Sequence, residues 1–307
     1  MHTAYITHPS FLLHDMGDTH PESPARLRAI DDRLHAAQLF DFLDHRLAPE
    51  VTRAQLLRVH DTAHVDAIEA AAPAEKLLWL DPDTSMNAHS LAAARHAAGG
   101  AVHGVDLVMA GEAANAFVAC RPPGHHATRT HAMGFCIFNN VAVAAAHALD
   151  AHGLERVAIV DFDVHHGNGT EDIFRDDPRV MLCSTFQHPC YPFSGADTTS
   201  PHIVNVPLPA GTDGSAYRAA FSARILPCLD AFAPQMLFCS AGFDGHREDD
   251  MAQFGLVEAD YVWITEQVMA VAARHAAGRI VSVLEGGYAL SALGRSAAVH
   301  IKTLLGL

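Results

Sequence analysis

The sequence predicts an α/β fold in which a mainly parallel sheet is covered by helices on both faces, and three observations carry that expectation. Short β-rich apolar runs recur at A-F-V-A-C (116–120), R-V-A-I-V (156–160), R-V-M-L-C (179–183), H-I-V-N-V (202–206), Q-M-L-F-C (235–239) and R-I-V-S-V-L (279–284). Most are apolar at successive positions, as strands buried on both faces must be. Ala-rich segments long enough for helices separate many of them, at 89–110, 139–151, 213–232 and 258–277. That alternation is the signature of strand-helix-strand units.

The first 80 or so residues read differently, as loops and helices. H-P-E-S-P-A-R-L starts a helix after a proline-rich approach, V-T-R-A-Q-L-L-R-V-H carries another, and both are expected to cap or flank the sheet. No fixed-period repeat, low-complexity tract or long linker interrupts the chain, so residues 1–307 are expected to form a single domain.

Composition narrows the function classes. Lys plus Arg total 20 against 35 Asp plus Glu, a formal charge of -15, which repels a nucleic-acid backbone; no nucleic-acid partner is expected. No window reaches the 18 or so apolar residues of a membrane span, and the start lacks a secretory pattern, so no membrane partner is expected. Six cysteines show no C-x-x-C, and three lie in apolar runs, the habit of buried thiols in a reducing compartment; the cytoplasm is the expected location. Among 23 histidines, only those in a constrained context are informative.

Four of the runs end in polar clusters: R-P-P-G-H-H (121–126), D-F-D-V-H-H (161–166), S-A-G-F-D (240–244) and E-G-G-Y (285–288). Ligands of open parallel sheets bind beyond the carboxyl ends of the strands, so the four clusters are expected to meet. In D-F-D-V-H, an extended backbone aims Asp161, Asp163 and His165 to one side and Phe162 and Val164 to the other. Asp163 and His165 with Asp244 make an Asp2His set, which leaves a tetrahedral zinc one open position, the catalytic arrangement. An isolated Asp after a strand reads as a helix cap, but burying two carboxylates without a cation costs several kcal/mol each. Asp161 is then free to accept from an imidazole. His125 and His126, presented by the rigid R-P-P-G turn, are placed to act as a general base and acid, one moving protons while the other is held by a carboxylate. Tyr288, brought close by Gly286 and Gly287, can donate a hydrogen bond to an oxyanion.

Taken in order and spacing, R-P-P-G-H-H, G-F-C-I-F-N-N, D-F-D-V-H-H-G-N-G-T-E-D-I-F, S-A-G-F-D and E-G-G-Y resemble the zinc-dependent histone deacetylase family, from about residue 18 to the last helix. The resemblance implies the arginase/deacetylase-like three-layer fold and one Zn2+ per chain on Asp163, His165 and Asp244. It implies that His126 is the general base and acid, that His125 is bonded to Asp161, and that Tyr288 polarises the acyl carbonyl. Asn168 stands where one branch of the family has aspartate and the class II branch asparagine, so the chain looks class II-like, with Asn168 the partner of His126. Gly134, Phe135 and Tyr191 match the acyl-lysine channel. Structural K+ is also implied, at Asp161, Asp163, His165, Ser184 and Thr185, and at Phe174, Asp177 and Val180. The sequence departs from the family at S-T-F-Q (184–187), where many members carry a histidine two residues after the serine. The short segment before H-P-E-S-P-A-R leaves no room for the insertion with which polyamine-specific relatives restrict their entrance.

The expected activity is therefore hydrolysis of an N-ε-acyl-lysine amide in a protein or peptide. The alternatives are a deacetylase of small amines such as acetylpolyamines, a non-catalytic acyl-group binder, and an arginase-type dimetal ureohydrolase. An acidic rim would favour a polycation, and Asp81, Asp83, Glu248, Asp249 and Asp250 are candidates for it. A non-catalytic binder would normally have lost a ligand, a histidine of the pair or the tyrosine, and a ureohydrolase needs more bridging carboxylates than S-A-G-F-D-G-H offers. Oligomeric state is not legible.

Overall fold

A computed structural model describes residues 2–307. In chain order the elements are β1 (Thr3–Thr7), α1 (Ala25–Ala36), β2 (Asp44–Leu47), α2 (Arg53–Leu56), α3 (Thr62–Ala71), β3 (Leu78–Trp79), β4 (Ser85–Met86), α4 (Ser90–Met109), β5 (Asn115–Val118), α5 (Asn140–His152), β6 (Val157–Asp161), α6 (Asn168–Phe174), β7 (Val180–Gln187), β8 (Ile203–Leu208), α7 (Gly214–Phe232), β9 (Met236–Ala241), α8 (Glu258–His275), β10 (Ile280–Leu284) and α9 (Leu290–Leu304). All six apolar runs are strands, and all four Ala-rich segments are helices.

Eight strands form one sheet in the order β2-β1-β5-β10-β9-β6-β7-β8, every neighbouring pair parallel. Two packed groups of helices cover it: α4 and α5, and the series α1, α9, α8 and α7, giving three layers. Because both faces are covered, every residue of β5, β6, β7, β9 and β10 is buried. Small residues let the α4 layer approach closely: a Cβ on Gly100 or Gly104 would lie 3.1 Å from Val118 or Val281.

The expectation that the first 80 residues only flank the sheet is corrected. β1 pairs with β5 inside the sheet, and β2 closes its edge. T-A-Y-I-T is too short to show a period, and D-H-R-L is a half-exposed edge whose polar residues hide its strand character.

The four strands that end in polar clusters, β5, β10, β9 and β6, are consecutive neighbours in the sheet and all parallel. At about 4.8 Å between neighbours, their carboxyl ends span only about 15 Å.

Candidate active site

At that edge the chain brings together the residues singled out from the sequence. β6 stops at Asp161, and the next turn of chain is held by its own carboxylates: Asp161 Oδ1 accepts the amide of Asp163 at 3.1 Å, and Asp163 Oδ1 accepts the amide of His165 at 2.9 Å. Asp163 and His165 are thus aimed by local side-chain turns rather than by strand alternation, because the strand has already ended. Asp244, beyond β9, is fixed by the Val164 amide at 3.1 Å. His165 Nδ1 lies 3.1 Å from both Asp163 Oδ1 and Asp244 Oδ2. All three residues are buried, and their ligand atoms lie within 4.8 Å of one another.

The donor set fits a divalent cation on two grounds. Glycine alone leaves room for it: a Cβ on Gly242 would fall 2.0 Å from Asp163 Oδ2, and one on Gly286 2.1 Å from Asp244 Oδ2. Two buried carboxylates also converge on one imidazole, where burial and then the adjacent Asp163 push the Asp244 carboxyl up to about 6, so a cation between them would relieve the repulsion. Mixed carboxylate and imidazole donors with an open side match a catalytic zinc site.

The histidine pair meets this set from β5. His125 Nδ1 lies 2.9 Å from Asp161 Oδ2, so that nitrogen carries the proton. Burial disfavours its charge, but Asp161 and Asp163 outweigh burial and raise it to about 10. His126 Nδ1 lies 2.7 Å from Asn168 Oδ1, which leaves Nε2 with its lone pair. Burial, then the charges of His125 and His165, hold His126 well below its ordinary value. Burial holds the Tyr288 phenol far above its usual range, so it stays a donor. His125, His126, Asp163, His165 and Tyr288 all line one cavity of about 200 Å³.

Comparison with known proteins gives the family. A family model of the histone deacetylase domain matches residues 20–304. The chain belongs to the histone deacetylase family. It is 40% identical to the histone deacetylase-like amidohydrolase of Pseudomonas aeruginosa over 88% of this chain and 72% of that one. It is 36% identical to a probable deacetylase of Archaeoglobus fulgidus over 94% and 82%. The crystal structure of the HDA15 HD domain superposes with a TM-score of 0.93 at 37% identity, covering 99% of this chain and 88% of that one. The protein is a hydrolase of the deacetylase or amidohydrolase type with the arginase-like fold, and family membership implies zinc.

The histone deacetylase-type cavity is walled by Gly134, Phe135, Tyr191, Pro123, Met251 and Asp83. Gly134 and Phe135 have φ of +57° and +69°, and a Cβ on Gly134 would meet the His126 ring at 2.5 Å. Asp83 Oδ1 and Thr84 Oγ1 accept the amides of Gly134 and Phe135, which holds this strained turn. Phe135 meets the Tyr288 ring edge-on at 5.8 Å, and Tyr191 meets His126 edge-on at 5.2 Å.

Of the acidic rim candidates, only Asp83 lines the cavity. Asp249 is buried and accepts the amides of Tyr288 and Ala289 at 2.6 and 2.9 Å, and Glu248 pairs with Arg295 at 2.8 Å. Sequence reasoning missed three supports. Glu285 accepts the amides of Gly124 and His125 at 2.7 and 3.1 Å. Arg26 donates to the carbonyls of Gly287 and Glu285 and lies 4.8 Å over the Tyr288 ring. Asp249 is the third. The signal for Glu285 was present, as a carboxylate directly after the apolar run V-S-V-L.

Ser184 faces Asp161 across β6 and β7, and its hydroxyl is buried with no protein partner, as a ligand to an ion would be. The second group named for K+ shows no such atom. The Phe174 and Asp177 carbonyls accept the amides of Asp177 and Val180, and the Asp177 carboxylate is taken by Arg179. A remote trio, Asp106, His147 and His152, also brings ligand atoms within 4.8 Å. There Arg58 can only donate to His147 Nδ1, so Nε2 carries the proton and gives it to Asp106; the trio is a clamp between α4 and α5.

No helix among the described residues is long and apolar enough to cross a membrane.

Proposed function

We propose that the chain is a single-domain zinc amidohydrolase that cleaves the amide of N-ε-acyl-lysine in proteins or peptides. The observation that carries this reading is the cluster of Asp163, His165 and Asp244, of which Asp163 and His165 share one small cavity with His126 and Tyr288. Asp163, His165 and Asp244 would hold the zinc, which when bound supplies a Lewis acid and lowers the pKa of water.

The remaining chemistry belongs to side chains. Neutral His126 takes a proton from the attacking water at Nε2, while Asn168 Oδ1 holds the Nδ1 proton and so fixes the ring. His125, pinned by Asp161, contributes positive charge beside it. The Tyr288 hydroxyl donates to the acyl oxygen as negative charge develops there. His126 then returns its proton to the departing amine. Phe135 and Tyr191 sheathe the lysine methylenes, and the Gly134 carbonyl faces the amine. The unpartnered Ser184 hydroxyl supports K+ bound with Asp161, Asp163, His165 and Thr185. Nothing comparable supports the site at Phe174, Asp177 and Val180.

A second reading, hydrolysis of a small acylated amine, has Asp83 in its favour, since a carboxylate at the cavity suits a polycation. Met251 on the same cavity is apolar and favours the lysine substrate. One panel decides: a single lysine peptide carrying different acyl groups, and acetylspermidine, each with and without chelator. The expected result is chelator-sensitive hydrolysis of the acyl peptides; faster cleavage of acetylspermidine would establish the small-amine reading instead. In the same panel Tyr288→Phe should retain zinc and lose about 100-fold or more in kcat, as expected for one oxyanion donor.

A further inference from the structure

The second histidine of D-V-H-H turns away from the cavity. His166 is 2% exposed, with Nε2 2.9 Å from Glu171 Oε2 and Nδ1 3.1 Å from Ser194 Oγ. Glu171, on α6, is itself buried. Its Oε2 also accepts from Asn205 at 2.7 Å, and its Oε1 from Thr198 at 2.8 Å and Arg175 at 3.2 Å. Asn205 spans the gap by donating to the Gly195 carbonyl at 2.9 Å as well. Burial works against the Glu171 charge, but the bonds from His166, Asn205 and Thr198 prevail and hold the carboxyl at about 2.

Ser194, Gly195 and Thr198 lie in one irregular segment, the one that carries Tyr191 to the cavity wall. The segment has little else to hold it. Between residues 190 and 199 its own backbone bonds are Phe193 to Cys190 and Thr198 to Gly195, and a cavity of about 700 Å³ lies against residues 193–203. Gly195 is needed for the approach: its φ is +85°, and a Cβ there would meet the His166 ring at 2.5 Å. A buried carboxylate with four partners is therefore the firm point to which an otherwise thinly supported wall is tied.

We propose that Glu171 is a specificity-determining positioning residue, which through His166, Thr198 and Asn205 latches residues 190–198 so that Tyr191 narrows the acyl channel. The effect on substrates rests on the deacylase reading above; the latch itself does not.

The test uses the full zinc-loaded chain and compares Glu171→Ala and Glu171→Gln with wild type. Hydrogen exchange of residues 190–199 is measured alongside kinetics on one lysine peptide bearing acetyl or butanoyl groups. Glu171→Ala should release the exchange protection of the segment and raise KM for the acetyl peptide by about fivefold, the size of one lost positioning hydrogen bond, with kcat little changed. It should also shrink the preference between the two acyl groups. Glu171→Gln, which still offers an acceptor to Asn205, should restore most of the protection. Tyr191→Ala should relax the same preference, and adding Glu171→Ala to it should change the preference no further.

Unchanged exchange in Glu171→Ala, or an equal loss of kcat on both peptides at constant KM, overturns the proposal. Should Glu171→Ala not fold, Thr198→Val and Ser194→Ala cut the latch from the loop side and carry the same expectations. If wild-type protein cleaves neither peptide, the deacylase reading fails, while the exchange data still decide whether the latch exists.

Discussion

Asn168 Oδ1 holds Nδ1 of His126 at 2.7 Å with a neutral amide, in a pocket that already suppresses the charge of that imidazole. A carboxylate in its place would favour imidazolium, as an adjacent opposite charge shifts a pKa by about 1–3 units. Asn168→Asp should therefore raise the pKa of His126 and move the acidic limb of kcat/KM to higher pH by at least about 1 unit. The base must be unprotonated to act, so activity at pH 6 should fall relative to pH 8. A limb that stays in place or moves to lower pH would show that His126 is not the group being titrated.

At the scale of elements, the site depends on how strands end. β9 and β10 leave the sheet through Gly242 and Gly286, whose missing side chains provide the space that Asp163 and Asp244 occupy. Those carboxylates cannot retreat, because the Gly286 amide holds Asp163 Oδ2 at 2.9 Å and the Val164 amide holds Asp244 Oδ1 at 3.1 Å. Gly286→Ala should weaken zinc binding by at least about tenfold, as loss of ligand orientation does elsewhere, while far-UV circular dichroism stays unchanged. Competition against a chromophoric chelator reads the affinity. Wild-type affinity in the variant would place the ion somewhere other than between Asp163 and Asp244.

Away from the site, the fold buries two histidines in neutral form. His60 donates from Nδ1 to the Thr128 carbonyl and accepts the Asn139 amide at Nε2, and His300 sits between the hydroxyls of Thr265 and Ser282. Burial lowers both to about 3. In the unfolded chain they titrate near 6.5, so between pH 6.5 and 3 the unfolded state binds more protons and unfolding is favoured. Their contribution is complete above pH 6.5 and is lost as pH falls toward 3. The loss on replacing one of these rings, read as the difference in urea unfolding midpoint between wild type and His300→Gln, should be level from pH 8 to 7 and shrink steadily from pH 6 to 4; a difference that holds constant down to pH 4 would mean that the ring does not stay neutral in the native state.

From the amino-acid order alone came the six strands between residues 116 and 284, the four long helices between 89 and 277 and the residue types of the site, because doubly buried strands must be apolar in succession and charge at their ends then stands out; the short α6 was not among them. The resemblance to the deacetylase family implied the pairs Asp161 with His125 and Asn168 with His126, and both are hydrogen-bonded. Tertiary structure alone decided what those features meet. β1 joined the sheet because its partner β5 lies more than a hundred residues away, and no local period records such a pairing. Asp249 turned from rim to anchor, and Glu285, Arg26 and Glu171 became supports, because a buried polar group takes its role from the amides, carbonyls and side chains the fold places around it.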